Sequence, residues 1–353
     1  MSSADATVLA GSPSTSKRAM APLRLRQAGG WALLAVGLVL YPLIFSGPFY
    51  VDVGTTFVLA AATAAAWNIV GGYAGQVSVG HGMFFGAGAY VSLLVYTWWG
   101  WPPIVGLPLG IGVSLVLAVV VGMPTFRLQG HYFSMATIAV AELIRLLVST
   151  SDPLGAAIGL QGPAVGRDLW DLTFRSGVPY YYLFLALLAA VVVTSWTIDR
   201  SRLGYYLRAL RGSERAARSL GVPVRRCKLA ALLISAAFTS SAGSLYAVKT
   251  GFVDPESGLG ILVSVQMVIV AALGGAGTLF GPILGALILV PLQTATNTWF
   301  GGSGTGLTYI LYGGVILLIA RFEPGGVMDL VRRVRPRRSG EAKGPSTDKH
   351  HAA

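Results

Sequence analysis

Apolar residues in this chain come in long runs rather than in alternation with polar ones. A helix crossing a bilayer needs about 20 mainly apolar residues, because hydrocarbon offers an exposed peptide group no partner and a helix satisfies its own. Ten stretches meet or approach that pattern: residues 27–45, 50–71, 76–99, 104–125, 131–148, 179–196, 228–247, 262–273, 279–297 and 306–320. The eighth is too short to span alone. Helix breakers cut the third stretch and the boundary between the eighth and ninth. The pattern predicts an all-α integral membrane protein with about ten transmembrane helices, some of them interrupted.

Short cytoplasmic loops collect Lys and Arg, so the basic residues give an independent test of that count. Of 26 basic residues, 22 fall in four regions: the N-terminal tail, position 127, residues 200–228 and the tail from Arg321 onward. With ten spans and a cytoplasmic N-terminus, all four regions lie on the cytoplasmic side. Asp52, Asp152, Asp168, Asp171, Asp254 and Glu256 then lie outside. An odd number of spans would force one basic cluster across the membrane, so both termini are expected in the cytoplasm.

Composition agrees with this picture. Only 11% of residues are charged, against about 25% in soluble domains, which leaves too few charges to cover a water-exposed surface. The net charge of +12 therefore reads as topology and contact with membrane lipid; no nucleic-acid partner is expected. One cysteine, Cys227, excludes an internal disulfide and a cysteine-rich metal site. Polar residues 1–22 carry no signal-peptide pattern. The expected organisation is a disordered cytoplasmic tail (1–26), a transmembrane domain (27–322) and a basic cytoplasmic tail (323–353).

Glycine is abundant, at 46 residues, and clusters in two similar places. Gly72 and Gly75 precede Gly80 and Gly86, while Gly274, Gly275 and Gly277 precede Gly281 and Gly285; Ile69-Val70 and Ile269-Val270 lead into them. Membrane composition could produce the likeness, as could duplication; duplication would imply an inverted repeat of the kind transporters carry. Small residues let transmembrane backbones approach closely. The breakers around Gly71–Gly82 also favour unwound backbone, which at membrane depth is tolerated only when buried or lining a cavity. Gln76, Ser78 and His81 lie there and could offer hydrogen bonds to a polar solute.

Glu142 and Arg145, three residues apart in the fifth stretch, share a helix face and are expected to form an intramembrane ion pair. No comparable acid sits mid-span elsewhere, which weighs against a proton-coupled carrier. His81 and His131 lack neighbouring carboxylates, so neither a zinc site nor an acid-base pair is expected. No lysine follows a glycine in a phosphate-binding loop. No enzyme is expected: any ATP must be bound by another chain.

The polar stretch 199–228 carries one further helix. Residues 208–220 have helical composition, Ser213 can cap a helix starting at Glu214, and Gly221 with Pro223 supplies a stop. Leu207, Leu210, Ala217 and Leu220 form an apolar side opposite Arg208, Arg211, Arg215 and Arg218. Such a segment can lie on anionic lipid or act as a peg in a cytoplasmic partner.

Several motifs stand in a familiar order. The run NIVGGYAGQVSVGH from Asn68 to His81, continued by FFGAGAY from Phe84, closely resembles the signature of LivM-type permeases of branched-chain amino-acid ABC importers. RLQGHYF from Arg127, Glu142 with Arg145, Arg202 to Gly204, Arg208 to Arg211, LGGAG from Leu273 and FGP from Phe280 are also similar. The likeness covers roughly residues 31–322. It implies an alternating-access permease in the bacterial plasma membrane, paired with a second, LivH-like permease and served by an external solute-binding protein. Two cytoplasmic ATP-binding subunits would hold ATP and magnesium; this chain would bind no cofactor. Arg208, Glu214, Ala216, Ala217 and Gly221 would belong to the coupling segment (205–222) that contacts the ATPases. At 151–163 the chain departs from the Thr-Gly-Gly-x-x-Gly-Leu stretch of many relatives, and permeases of this type also serve urea, short-chain amides and other amino acids. A secondary transporter or channel acting without ATP is the alternative of another class, with Glu142 the one acid available to it.

Overall fold

A computed structural model describes residues 34–162, 172–299, 313–314 and 326–328. The expected N-terminal tail, all of the expected C-terminal tail but residues 326–328, and most of the tenth stretch lie outside the described residues. The helices are α1 (Leu34–Ile44), α2 (Pro48–Asn68), α3 (Gly82–Trp99), α4 (Pro103–Thr125), α5 (His131–Ser149) and α6 (Val178–Arg200). They continue with α7 (Arg202–Gly212), α8 (Glu214–Ser219), α9 (Val224–Thr250), α10 (Pro255–Leu259), α11 (Ile261–Gly274) and α12 (Gly281–Trp299). Two short strands, β1 (Leu160–Gln161) and β2 (Phe252–Val253), pair antiparallel. The fold is all-α. Among the described residues six helical segments are long and apolar enough to cross a membrane.

Prolines set several helix starts: Pro48 and Pro103 occupy the first helical position, where a missing N–H costs nothing. Glycines in the left-handed conformation at Gly100 and Gly251 end α3 and α9. α3, α4 and α9 pack together as a triad, while α2 packs against α6, α11 and α12. Close approach in the triad relies on small residues. The Ser244 hydroxyl on α9 donates to the Gly88 carbonyl of α3 at 3.0 Å, and Ser114 on α4 donates to the Phe84 carbonyl.

The arginine-rich α7 and α8 mark one end of the bundle, the basic end. The opposite, acidic end carries Asp52, Asp254 and Glu256, where β1 and β2 tie the 151–162 segment to the chain after α9. Gly72 and Gly75 of the first cluster and Gly277 of the second meet at the basic end. The Asn68 side chain, closing α2, accepts from the Gly277 amide at 2.7 Å and donates to the Thr278 carbonyl at 2.9 Å. Because α2 and α11 both finish at this contact, the two clusters are arranged in parallel, and they do not carry the opposed geometry of the inverted repeat expected from them.

A methyl group at Gly72 would overlap the Gly277 amide nitrogen and the Asn68 carboxamide. Gly72→Val is therefore expected to cost about 1–3 kcal/mol, the usual range for overpacking. Gly112→Val, facing open space, should stay within about 0.5 kcal/mol of the parent. Unfolding midpoints in detergent check the contrast; equal midpoints would contradict the packing account.

Candidate functional site

The helix leaving α2 loosens into a π turn over Ile69–Tyr73 and then unwinds until α3 begins at Gly82. Side chains from three helices satisfy the freed backbone. Trp67 Nε1 donates to the Ser78 carbonyl at 2.6 Å, Ser134 to the Val77 carbonyl at 2.6 Å, and the Val79 amide to Thr137 at 3.2 Å. Ser264 on α11 accepts from the Gly82 amide at 2.6 Å. His81, 0% exposed, sits at the centre. Ser235 on α9 gives its proton to the Ala66 carbonyl at 2.7 Å, so it receives one from His81 Nε2 at 2.9 Å. His81 Nδ1 then accepts from the Ser78 hydroxyl at 3.1 Å. The network thus assigns the neutral Nε2–H tautomer. Ser78 and His81 are enclosed and offer no surface to a solute in this conformation, whereas Gln76, near the basic end, is half-buried.

The segment expected to contact the ATPases folds as two helices, α7 and α8, rather than one. At Ser213 the backbone turns extended, and the Ser213 hydroxyl caps α8 by accepting from the Ala216 amide at 3.3 Å, as its sequence position predicts. Leu207, Leu210 and Ala217 pack inward. Leu220 does not: it is 83% exposed, contrary to its expected place on the apolar side. A single helical projection carries the periodicity through Ser213, but the break there, and the end of α8 at Ser219, turn Leu220 out to solvent. Gly221 follows in the left-handed conformation, φ 81°, which favours glycine.

The charged residues of this segment divide by role. Arg208 pairs with Asp199 at the end of α6, and Arg211 reaches the Ala276 carbonyl at 3.3 Å. Glu214 turns inward, only 12% exposed at its side chain, and accepts from Lys228 Nζ at 2.6 Å and from Arg218 at 3.1 Å. Lys228, in the first turn of α9, is fully enclosed. Ala216 faces outward beside Arg215. The outward surface here therefore includes Arg215, Ala216, Arg218, Ser219 and Leu220, with Glu214 and Ala217 anchoring it from beneath.

Glu142 and Arg145 pair as expected, but toward the acidic end of α5 rather than at mid-depth. Arg145 Nε donates to both Glu142 oxygens at 3.0 and 3.1 Å, and its Nη1 donates to Glu256 on α10 at 3.1 Å. The pair thus ties α5 to the short helix that turns into α11. Among the described residues no group of three or more His, Cys, Asp or Glu could hold a metal ion.

Farther from the break, a cavity of about 210 Å³ opens between α2, α9, α11 and α12, on the acidic side of the bundle. Its polar lining comes from Thr56, Lys249, Ser257, Gln266 and Gln293. Lys249 Nζ donates to Asp52, one turn before Thr56, at 2.6 Å. The Gln293 Oε1 atom is buried without a hydrogen-bond partner. Sequence reasoning passed over these residues, although glutamines 266 and 293 stand out as amides inside apolar stretches and Lys249 falls just past the predicted seventh span.

The family described as "Branched-chain amino acid transport system / permease component" matches residues 49–320. The chain is 32% identical over 318 residues to the high-affinity branched-chain amino acid transport permease LivM of Salmonella typhimurium, covering 83% of this chain and 73% of that protein. LivM of Escherichia coli is 31% identical with the same coverage. The xylose transport system permease XylH of Escherichia coli is 26% identical, covering 69% of this chain and 76% of that protein. No solved structure matches the chain significantly. The chain belongs to the family of permease components of branched-chain amino acid transport systems, and is a multi-pass permease of an ABC-type importer in the bacterial inner membrane.

Proposed function

We propose that this chain forms one half of the membrane pathway of an ATP-driven importer of branched-chain amino acids, as the printed names of its LivM relatives describe for theirs. In this reading about ten spans place both termini, the basic tails and the basic end of the bundle in the cytoplasm. A second, LivH-like permease completes the pathway, and an external solute-binding protein delivers solute at the acidic end. Two cytoplasmic subunits bind ATP with magnesium; family membership implies such a multi-subunit assembly. The chain itself performs no chemistry.

The observation that carries the reading is the outward surface of α8. Leu220, 83% exposed just past the end of α8 and near Arg215 and Arg218, gives this surface an apolar tip between cations, a combination that can enter a cleft in a partner subunit. Beneath it the Glu214–Lys228 pair fixes α8 to α9, and Arg211 presses on Gly75 and reaches Ala276. Displacement of segment 205–222 by the ATPases would therefore act on α9 and on both glycine breaks together. Gln76, Ser78 and His81 belong to the element that moves, with Gln76 at its cytoplasmic mouth.

Leu220→Asp should leave the unfolding midpoint of the permease within about 0.5 kcal/mol of the parent, as for other exposed substitutions, while ATPase subunits no longer co-purify and uptake falls. Full uptake by the variant complex would count against this docking surface. Lys228→Met leaves a carboxylate enclosed without its lysine and should cost about 3–5 kcal/mol, whereas Lys228→Met with Glu214→Leu should recover most of that loss. Thermal unfolding of the three proteins decides it. A harmless Lys228→Met would show that the pair does not anchor α8.

A further inference from the structure

We propose that the cavity between α2, α9, α11 and α12 is the solute-holding site of this permease and that it is built for a small zwitterionic α-amino acid with an apolar side chain. The inference rests on the importer reading above and assigns the residues that recognise the solute.

Size comes first. At about 210 Å³ the cavity is smaller than the roughly 300–1,000 Å³ of sites for drug-sized ligands, so it takes a small metabolite. Charge narrows the choice. Lys249, which lines the cavity, pairs at 2.6 Å with Asp52, one turn before the lining residue Thr56. Their pair is partly exposed, and such pairs are weak because water screens them. A solute bringing its own carboxylate and ammonium can exchange partners with it at little cost: carboxylate to Lys249, ammonium to Asp52. A simple anion would meet Asp52, and a simple cation would meet Lys249. Urea or a neutral amide would use neither charge.

Two amides complete the polar side. Gln266 lines the cavity, and the buried Gln293 Oε1 lacks a donor among the described residues. Buried acceptors in native proteins are nearly always satisfied, so an orphan acceptor lining a cavity points to a donor that arrives with the ligand. A solute N–H meets that need. Apart from Thr63 and Tyr246, the remaining wall is apolar: Leu59, Ala60, Phe85, Val263, Met267 and Val270. That wall suits an aliphatic side chain and would strand the hydroxyls of a sugar without partners, which separates this cavity from what the xylose permease relative is named for.

The test uses the complete complex with its binding protein in proteoliposomes and radiolabelled L-leucine as the probe. Lys249→Met should lower leucine uptake about 10–100-fold, the equivalent of one or two decades in a charge-assisted contact. That loss alone could also come from a broken tie between α2 and α9, so the deciding variant is Lys249→Met with Asp52→Asn. This neutral pair leaves no lone charge; uptake should stay low if the charges recognise solute, and return to the parent rate if they only join helices. Gln293→Leu, which replaces the orphan acceptor with an apolar group of similar size, should also lower uptake, and the unfolding midpoint of each complex reports whether it has folded. A parental rate for the neutral double variant, or for Gln293→Leu, overturns the proposed site while the importer reading stands. Failure of the unmodified complex to move leucine or any other α-amino acid would overturn the importer reading itself, and with it this proposal.

Discussion

Unwound backbone inside a membrane bundle has to borrow hydrogen-bond partners, and this constraint organises the centre of the molecule. Between Tyr73 and Gly82 the chain gives up its helical bonds, and lipid supplies nothing in return. Trp67 from α2, Ser134 and Thr137 from α5 and Ser264 from α11 each provide one partner, while Ser235 from α9 holds the His81 ring. Four helices are thereby fixed around one short segment. His81 acts within this set as a two-ended brace, donating to one serine and accepting from another, a task its neutral imidazole can perform and an aliphatic residue cannot.

The break also explains why small residues are concentrated where they are. Asn68 needs the Gly277 amide and the Thr278 carbonyl, and that bond is possible only if the turn after α11 comes up against Gly72 without a side chain between. Arg211 then fits beside Gly75 and Gly277 because both lack side chains. The glycine excess therefore serves contact between two turns and one arginine as much as it serves helix–helix packing.

Much of this was legible along the chain. Long apolar runs located the helices to within a few residues, the glycine cluster marked the unwound segment, and Ser213 was readable as a cap because its partners are local. What failed depended on distance in sequence or on a local break. The hydrogen bond that holds the His81 ring comes from Ser235, 154 positions away, a partner that its neighbours in sequence do not announce. The inward turn of Glu214 depends on Lys228, which reads as one more residue of a basic loop until α9 is seen to begin at Val224. Leu220 was misplaced because periodicity assumes one continuous axis. Polar residues of the cavity come from five helices, and no spacing within any one of them announces that they converge.

Helix α9 makes the long-range step in the mechanism physically plausible. Its 27 residues span about 40 Å at the rise of an α-helix. Lys228 at one end holds the peg through Glu214, and Tyr246 and Lys249 at the other line the cavity. A stiff rod bonded at both ends transmits displacement without needing a chain of adjustable contacts. α2 and α11, which line the same cavity, both end at the Asn68–Gly277 contact beside Arg211. A shift of α7 and α8 thus reaches the cavity by two routes, along α9 and through the paired ends of α2 and α11, and their difference in motion is what would widen or narrow the space between them.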